Sequence, residues 1–233
     1  MKAILLSAGL GTRLRPLTDT LPKCLMKING KPLLEVWLDK LFDANIESVL
    51  INTHYLSALV EEHLRESSYR ERITLVHEPA LLGTAGTLIK NMDFFEGSDG
   101  LLIHADNYCT ANIKDFMYNH SQRPKVCEIS MMTFLTDQPK DCGIVVINKE
   151  KIVEEFNEKH DSPRGNLANG AIYLLSAKAQ DEIKNSYSNA ADFSLEILHK
   201  FINRIYAIEN TGLHIDIGTI ERYVKANEMS RNE

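Results

Sequence analysis

Two glycines, two residues apart, with arginines and a lysine just beyond them, are the residues of this chain whose types and spacing are best suited to chemistry. A short apolar run, Ala3-Ile4-Leu5-Leu6, leads directly into Ser7-Ala8-Gly9-Leu10-Gly11-Thr12-Arg13-Leu14-Arg15-Pro16-Leu17-Thr18. The run reads as a buried strand, and the glycines after it permit a tight turn whose backbone N–H groups approach an anion closely. Arg13, Arg15 and Lys23 add fixed positive charge. The chemistry this arrangement predicts is the grip of a phosphate.

Such a turn has to be held by the elements around it. Strand-like runs recur at 3–6, 48–51, 73–76, 100–103, 129–133, 143–147 and 171–174, and between them 32–43 places Leu33, Leu34, Trp37, Leu38 and Leu41 at helical spacing, as does 56–64 with its own apolar residues. Strand alternating with helix predicts an α/β fold with a doubly wound, mostly parallel central sheet. The glycine turn then lies at the carboxyl end of the first strand, where ligands of such sheets bind. The second half changes character. A hairpin-like pair at 143–147 and 151–156 is followed by a loop at 161–165, another strand, and helical patterns at 178–183 and 195–201.

Size and charge bound the possibilities. At 233 residues the chain is expected to form a single domain spanning 1–233. Twenty-six basic against 32 acidic residues give a net charge of −6, which argues against nucleic acid or an anionic membrane as partner and requires phosphate-binding cations to be concentrated locally. No apolar run of about 18 residues occurs, and the stretch after Met1-Lys2 is too short for a secretory segment, so a cytoplasmic location is expected. Cys24, Cys109, Cys127 and Cys142 are unevenly spaced, with no Cys-x-x-Cys pair, and read as reduced, mostly buried thiols. Apolar helix faces leave a homo-oligomer open.

Two familiar phosphate motifs fail here. A dinucleotide fingerprint needs a third glycine where Leu14 stands, and a P-loop needs Ser or Thr after Gly30-Lys31, where Pro32 follows. The actual pattern, Gly-Leu-Gly-Thr-Arg-Leu-Arg-Pro-Leu-Thr continuing to Leu21-Pro22-Lys23-Cys24-Leu25 and Asn29-Gly30-Lys31-Pro32-Leu33, closely resembles the signature of the sugar-1-phosphate nucleotidyltransferases. That resemblance implies the Rossmann-like nucleotide-diphospho-sugar transferase fold, with 1–135 mainly the nucleotide-binding half and 136–233 mainly a sugar-phosphate-binding lobe. No hexapeptide turns follow residue 220, so the left-handed β-helix domain of some relatives is not expected.

The same resemblance implies roles for individual residues. Ala8, Gly9, Gly11 and Thr12 would hold nucleotide phosphates, Arg13 the β- and γ-phosphates, and Lys23 the phosphates at the reacting centre, with Arg15 a salt-bridging neighbour. Asp106, after Gly100-Leu101-Leu102-Ile103-His104-Ala105, and Asp216, in His214-Ile215-Asp216-Ile217-Gly218-Thr219, match the two metal-ligand motifs and would hold Mg²⁺. Local capping roles compete at both aspartates. Glycine is usual among relatives where His104-Ala105 stands.

The segment from His77 through Glu78, Gly83 and Thr84 to Thr87 resembles the base-binding loop. A carboxylate at Glu78 can accept both neighbouring donors of guanine, which favours GTP over UTP, while a solvated loop role for Glu78 is the competing reading. Gly143, Glu158 and Asn169 would face the sugar and Lys159 its phosphate, with His160 standing where proline is usual. Asp192 reads first as a helix cap.

The substrates implied are a nucleoside triphosphate and a sugar 1-phosphate. The sequence looks most like guanylyltransferases of mannose or manno-heptose 1-phosphate that serve surface polysaccharide synthesis. A uridylyl- or cytidylyltransferase of a hexosamine 1-phosphate, and a non-catalytic nucleotide-sugar-binding subunit, stay open as alternatives. A glycosyltransferase would need an Asp-x-Asp motif, and none follows Ile103.

Overall fold

The computed structural model describes residues 1–158 and 161–231, and these residues form two compact units interleaved along the chain. The first comprises residues 1–81, 103–110 and 213–233, and the second residues 82–102 and 111–212. The architecture is α/β, as the alternation of patterns predicts.

In the first unit, strands Lys2–Leu6, Val49–Thr53 and Ile73–His77 run parallel, with Leu6 opposite Asn52 and Thr53 opposite His77. Val49–Thr53 is buried at every position, as expected of a central strand covered on both faces. Helix Leu33–Asp43 buries Leu33, Leu34, Trp37, Leu38, Leu41 and Phe42. Helix Ser57–Glu66 buries only Val60 and Leu64.

Two short ribbons escaped the apolar-run reading because neither is long enough to show a period. Lys27–Ile28 pairs with Lys31–Pro32 around Asn29-Gly30, both with positive φ (47° and 84°). An Asn-Gly pair is the sequence signal for a two-residue hairpin turn of this kind. Asn107–Cys109 pairs antiparallel with His214–Asp216, bringing Asp216 opposite Asn107.

In the second unit, Leu167–Leu175 runs antiparallel to Ile129–Leu135, while Ile205–Glu209 joins the other side of Ile129–Leu135 in parallel. Ile144–Ile147 and Val153–Asn157 form the expected hairpin-like pair. The strand expected at 171–174 is longer, beginning at Leu167, and its register breaks between Asn169 and Tyr173, where Ala171 has φ 54°. The helix expected at 195–201 is instead a π-turn over Phe193–Ile197 followed by a 3₁₀ turn over Leu198–Phe201. Apolar spacing over seven residues does not separate these from an α-helix, and here Thr84 Oγ1 takes the Phe193 N–H at 2.8 Å, fixing the entry to the turn. Among the described residues no helix is long and apolar enough to cross a membrane.

Candidate active site

The glycine turn is built as the sequence suggests. Gly11 adopts φ 62°, and its carbonyl accepts from Thr18 Oγ1 at 2.7 Å and from the Leu14 N–H at 2.9 Å. Leu14 is fully buried and anchors the turn, leaving Gly9, Thr12 and Arg13 exposed. A Cβ added to Gly9 would meet nothing within 4 Å, so this backbone faces open space. Arg15 pairs with Asp19 at 3.2 Å, which confirms it as a salt-bridging neighbour.

Lys23 points the other way. Its 3₁₀ turn, Lys23–Leu25, is buried throughout, and the ammonium donates to Asp106 Oδ2 at 2.8 Å and to Asp216 Oδ1 at 3.0 Å. Burial alone would lower the pKa of this ammonium, but the two carboxylates outweigh it and hold the value above 10.5. Desolvation would likewise raise Asp106, and the Lys23 charge holds that carboxyl below its ordinary 3.8. Both groups are therefore charged at neutral pH.

The elements explain the meeting. Asp106 follows the Gly100–His104 strand, with Ala105 N–H donating to Leu6 O at 2.9 Å. Ile217 N–H donates to Asp106 O at 3.1 Å, which locks the two aspartate segments together. Asp216 does not cap the last helix. Thr219 does, accepting from Arg222 N–H at 3.3 Å.

Arg13 lies 3.9 Å and Arg222 3.7 Å from Asp216 Oδ2. Three cations thus surround two carboxylates on a chain of net charge −6. Sequence reasoning missed Arg222, which the Thr219 cap places in the first turn of its helix. It also missed Gly218, where a Cβ would lie 2.8 Å from Arg13 Nη2 and 2.8 Å from Asp216 Oδ2. The convergence of Asp106 and Asp216 on one nitrogen fits a shared small cation, and these hard oxygen donors suit Mg²⁺ if phosphate and water complete its shell.

Glu78 is not a solvated loop residue. It is 1% exposed, its Oε1 accepts from Asn52 Nδ2 at 3.0 Å, and its N–H donates to Thr53 O at 2.8 Å.

The second unit gathers the residues expected to face the sugar. A Cβ on Gly143 would lie 2.6 Å from Glu158 Oε2, and Gly143 O accepts from the Asn169 N–H at 2.8 Å. Asn169 Nδ2 donates to Tyr173 Oη at 2.7 Å, and its Oδ1 takes the Ala171 N–H across the register break. Asp192 caps as expected, accepting from Leu195 N–H. Gly83 and Thr84 open helix Gly83–Lys90 against residues 191–193. Lys159 and His160 lie outside the described residues.

A family model described as nucleotidyl transferase matches residues 2–233. Mannose-1-phosphate guanyltransferase of Schizosaccharomyces pombe is 29% identical over 232 residues, covering 96% of this chain and 62% of the relative. Mannose-1-phosphate guanyltransferase beta-A of Xenopus laevis is 30% identical over 225 residues, covering 94% and 61%. The chain therefore spans about three-fifths of the length of the curated relatives it matches. The crystal structure of HddC from Yersinia pseudotuberculosis complexed with GMP-PN superposes with a TM-score of 0.81 at 25% identity, covering 98% of this chain and 99% of that one.

Proposed function

Given that the chain belongs to the nucleotidyl transferase family, we propose that it transfers a nucleotidyl group from a nucleoside triphosphate to a sugar 1-phosphate. A phosphate oxygen of the sugar 1-phosphate attacks the α-phosphorus, the bond to the oxygen bridging to the β-phosphate breaks in line, and pyrophosphate leaves. The observation that carries this reading is the convergence of Lys23 on Asp106 and Asp216 with Arg13 close by, a cation-rich centre behind an open glycine turn.

Phosphoryl transfer of this kind needs positioning and charge stabilisation more than covalent help. The backbone from Ala8 to Thr12 and the Arg13 guanidinium grip the triphosphate. Lys23, held charged by its two aspartates, moves its hydrogen bonds onto the phosphate oxygens where negative charge builds. Asp106 and Asp216 would hold Mg²⁺, which when bound neutralises phosphate charge and orients the leaving group. Gly143, Glu158 and Asn169 are assigned to the sugar, and Lys159 to its phosphate.

GTP and a manno-configured sugar are the favoured substrates, giving GDP-mannose or GDP-manno-heptose as precursors of surface polysaccharide. Supporting this are the buried carboxylate of Glu78, the relatives named mannose-1-phosphate guanyltransferases and the nucleotide analogue bound in HddC. Uridylyl or cytidylyl transfer to a hexosamine phosphate is the alternative.

Lys23→Met and Asp106→Asn test the reaction centre. Each is expected to slow pyrophosphate release by roughly 30- to 1,000-fold. Emission of the single tryptophan, Trp37, whose indole donates to Asn107 O at 2.9 Å beside Asp106, checks that nucleotide still binds. Undiminished release by either variant would refute the assignment.

A further inference from the structure

We propose that Asn52 is a positioning residue for base recognition, orienting the Glu78 carboxylate and tying it to the start of the phosphate turn. This rests on the reading of Glu78 given above. Asn52 is 3% exposed, at the carboxyl end of the central Val49–Thr53 strand. Its register partners are Leu6 on one side and Val76 on the other, so its side chain lies between the lead-ins to the two loops.

The polarity of its amide is fixed by its neighbours. Ser7 N–H, which can only donate, meets Asn52 Oδ1 at 2.8 Å, so the amide nitrogen is the group facing Glu78 Oε1 at 3.0 Å. Ser7 Oγ closes the contact by donating to Asn52 O at 2.6 Å. On the far side, Glu78 O accepts a hydrogen bond from His54 Nδ1 at 2.6 Å, and Glu78 N–H donates to Thr53 O. Three consecutive residues, 52–54, therefore fix the backbone of Glu78 and one of its carboxylate oxygens.

A buried carboxylate selects between bases only if its oxygens are held in one orientation. Asn52 supplies that constraint for Glu78. Ser7 directly precedes the Ala8-Gly9 turn, so the same amide carries any displacement of the phosphate turn to the base loop.

The test compares Asn52→Asp, Glu78→Gln and the double variant, reading kcat/KM for GTP relative to UTP, KM for mannose 1-phosphate, and Tm. Asn52→Asp keeps the acceptor for Ser7 and replaces the donor facing Glu78 with an acceptor. The double variant restores a hydrogen bond of reversed polarity and keeps the fold measurable if Asn52→Asp alone does not fold. The expected result is a fall of tenfold or more in the GTP-to-UTP ratio for all three, with Tm recovered in the double variant and KM for mannose 1-phosphate unchanged. If Glu78→Gln shifts the ratio and neither variant carrying Asn52→Asp shifts it further or, alone, at all, the role of Asn52 is overturned while the base reading stands. If Glu78→Gln leaves the ratio unchanged, the base reading falls and this inference with it.

Discussion

Lys23 is the residue to which the proposed function gives the central role, because among the described cations at the two aspartates it is the buried one. Its side chain is 9% exposed, against 63% for Arg13. Removing it leaves two carboxylates facing one another, which costs stability as well as rate. The pattern Leu-Pro-Lys-Cys-Leu made Lys23 legible in the sequence, and the aspartates were legible from their own motifs. Asn52 and Arg222 were not: the Asn52 partners Ser7 and Glu78 lie 45 and 26 residues away, and Arg222 reaches nearby Asp216 only through the turn that precedes the Thr219 cap, relations that one sequence does not carry. The cysteines make a separate prediction. Burial pushes the Cys24 thiol up to about 12, and Cys109 and Cys127 are also buried, whereas Cys142 is partly exposed. A thiol reagent applied to native protein and read by mass spectrometry should label Cys142 first and Cys24 only on unfolding.

Among the elements, the candidate site depends on two short pieces of backbone. The ribbon of Asn107–Cys109 and His214–Asp216 brings Asp216 to Asp106, and Gly218 lets Arg13 and Asp216 close over the backbone that follows. Gly218→Ala should therefore leave Tm near that of the wild type, because the atoms the added Cβ meets are the ends of the Arg13 and Asp216 side chains rather than backbone, while raising KM for the triphosphate as both are displaced. Thr219→Ala removes only the cap of the last helix and should cost about 1 kcal/mol of stability, measured by denaturant melts. A Tm collapse in Gly218→Ala would mean that the glycine serves the fold rather than the site. The longer elements were readable because Ile-, Leu- and Val-rich runs and helical spacing survive in sequence. The three-residue ribbon strands were not, because alternation needs more residues than they contain.

Outside the candidate site, the buried His120 paired with Asp99 makes the fold as a whole sensitive to pH. His120 is 2% exposed, hydrogen-bonded through Nδ1 to Ser130 Oγ at 2.8 Å and through Nε2 to Asp99 Oδ2 at 3.1 Å. Burial, helped by the Arg123 charge, lowers its pKa below 6.5 despite Asp99. The neutral ring then donates from Nε2 and accepts at Nδ1, and its hydrogen bond holds Asp99 below 3.8. Unfolding raises the proton affinity of His120, so stability is fully present above pH 6.5 and falls as pH drops from there towards the lowered folded value. The Asp99 contribution is lost only at still lower pH, below 3.8. Tm measured from pH 7.5 to 5.5 should decline, and the decline should be shallower in His120→Gln. An equal slope in both proteins would remove His120 as its source.

The match over residues 2–233 shows the family and the strands and helices show the α/β architecture, while the substrates rest on the reading of individual residues. The most direct measurement of that reading is pyrophosphate release with magnesium across a grid of nucleoside triphosphates and sugar 1-phosphates including mannose, manno-heptose, glucose and N-acetylglucosamine. Release is expected to require both substrates and to be greatest with GTP and a manno-configured sugar. Release with UTP but not GTP would contradict the base assignment, and no release from any pair, by folded protein that still binds nucleotide, would contradict nucleotidyl transfer.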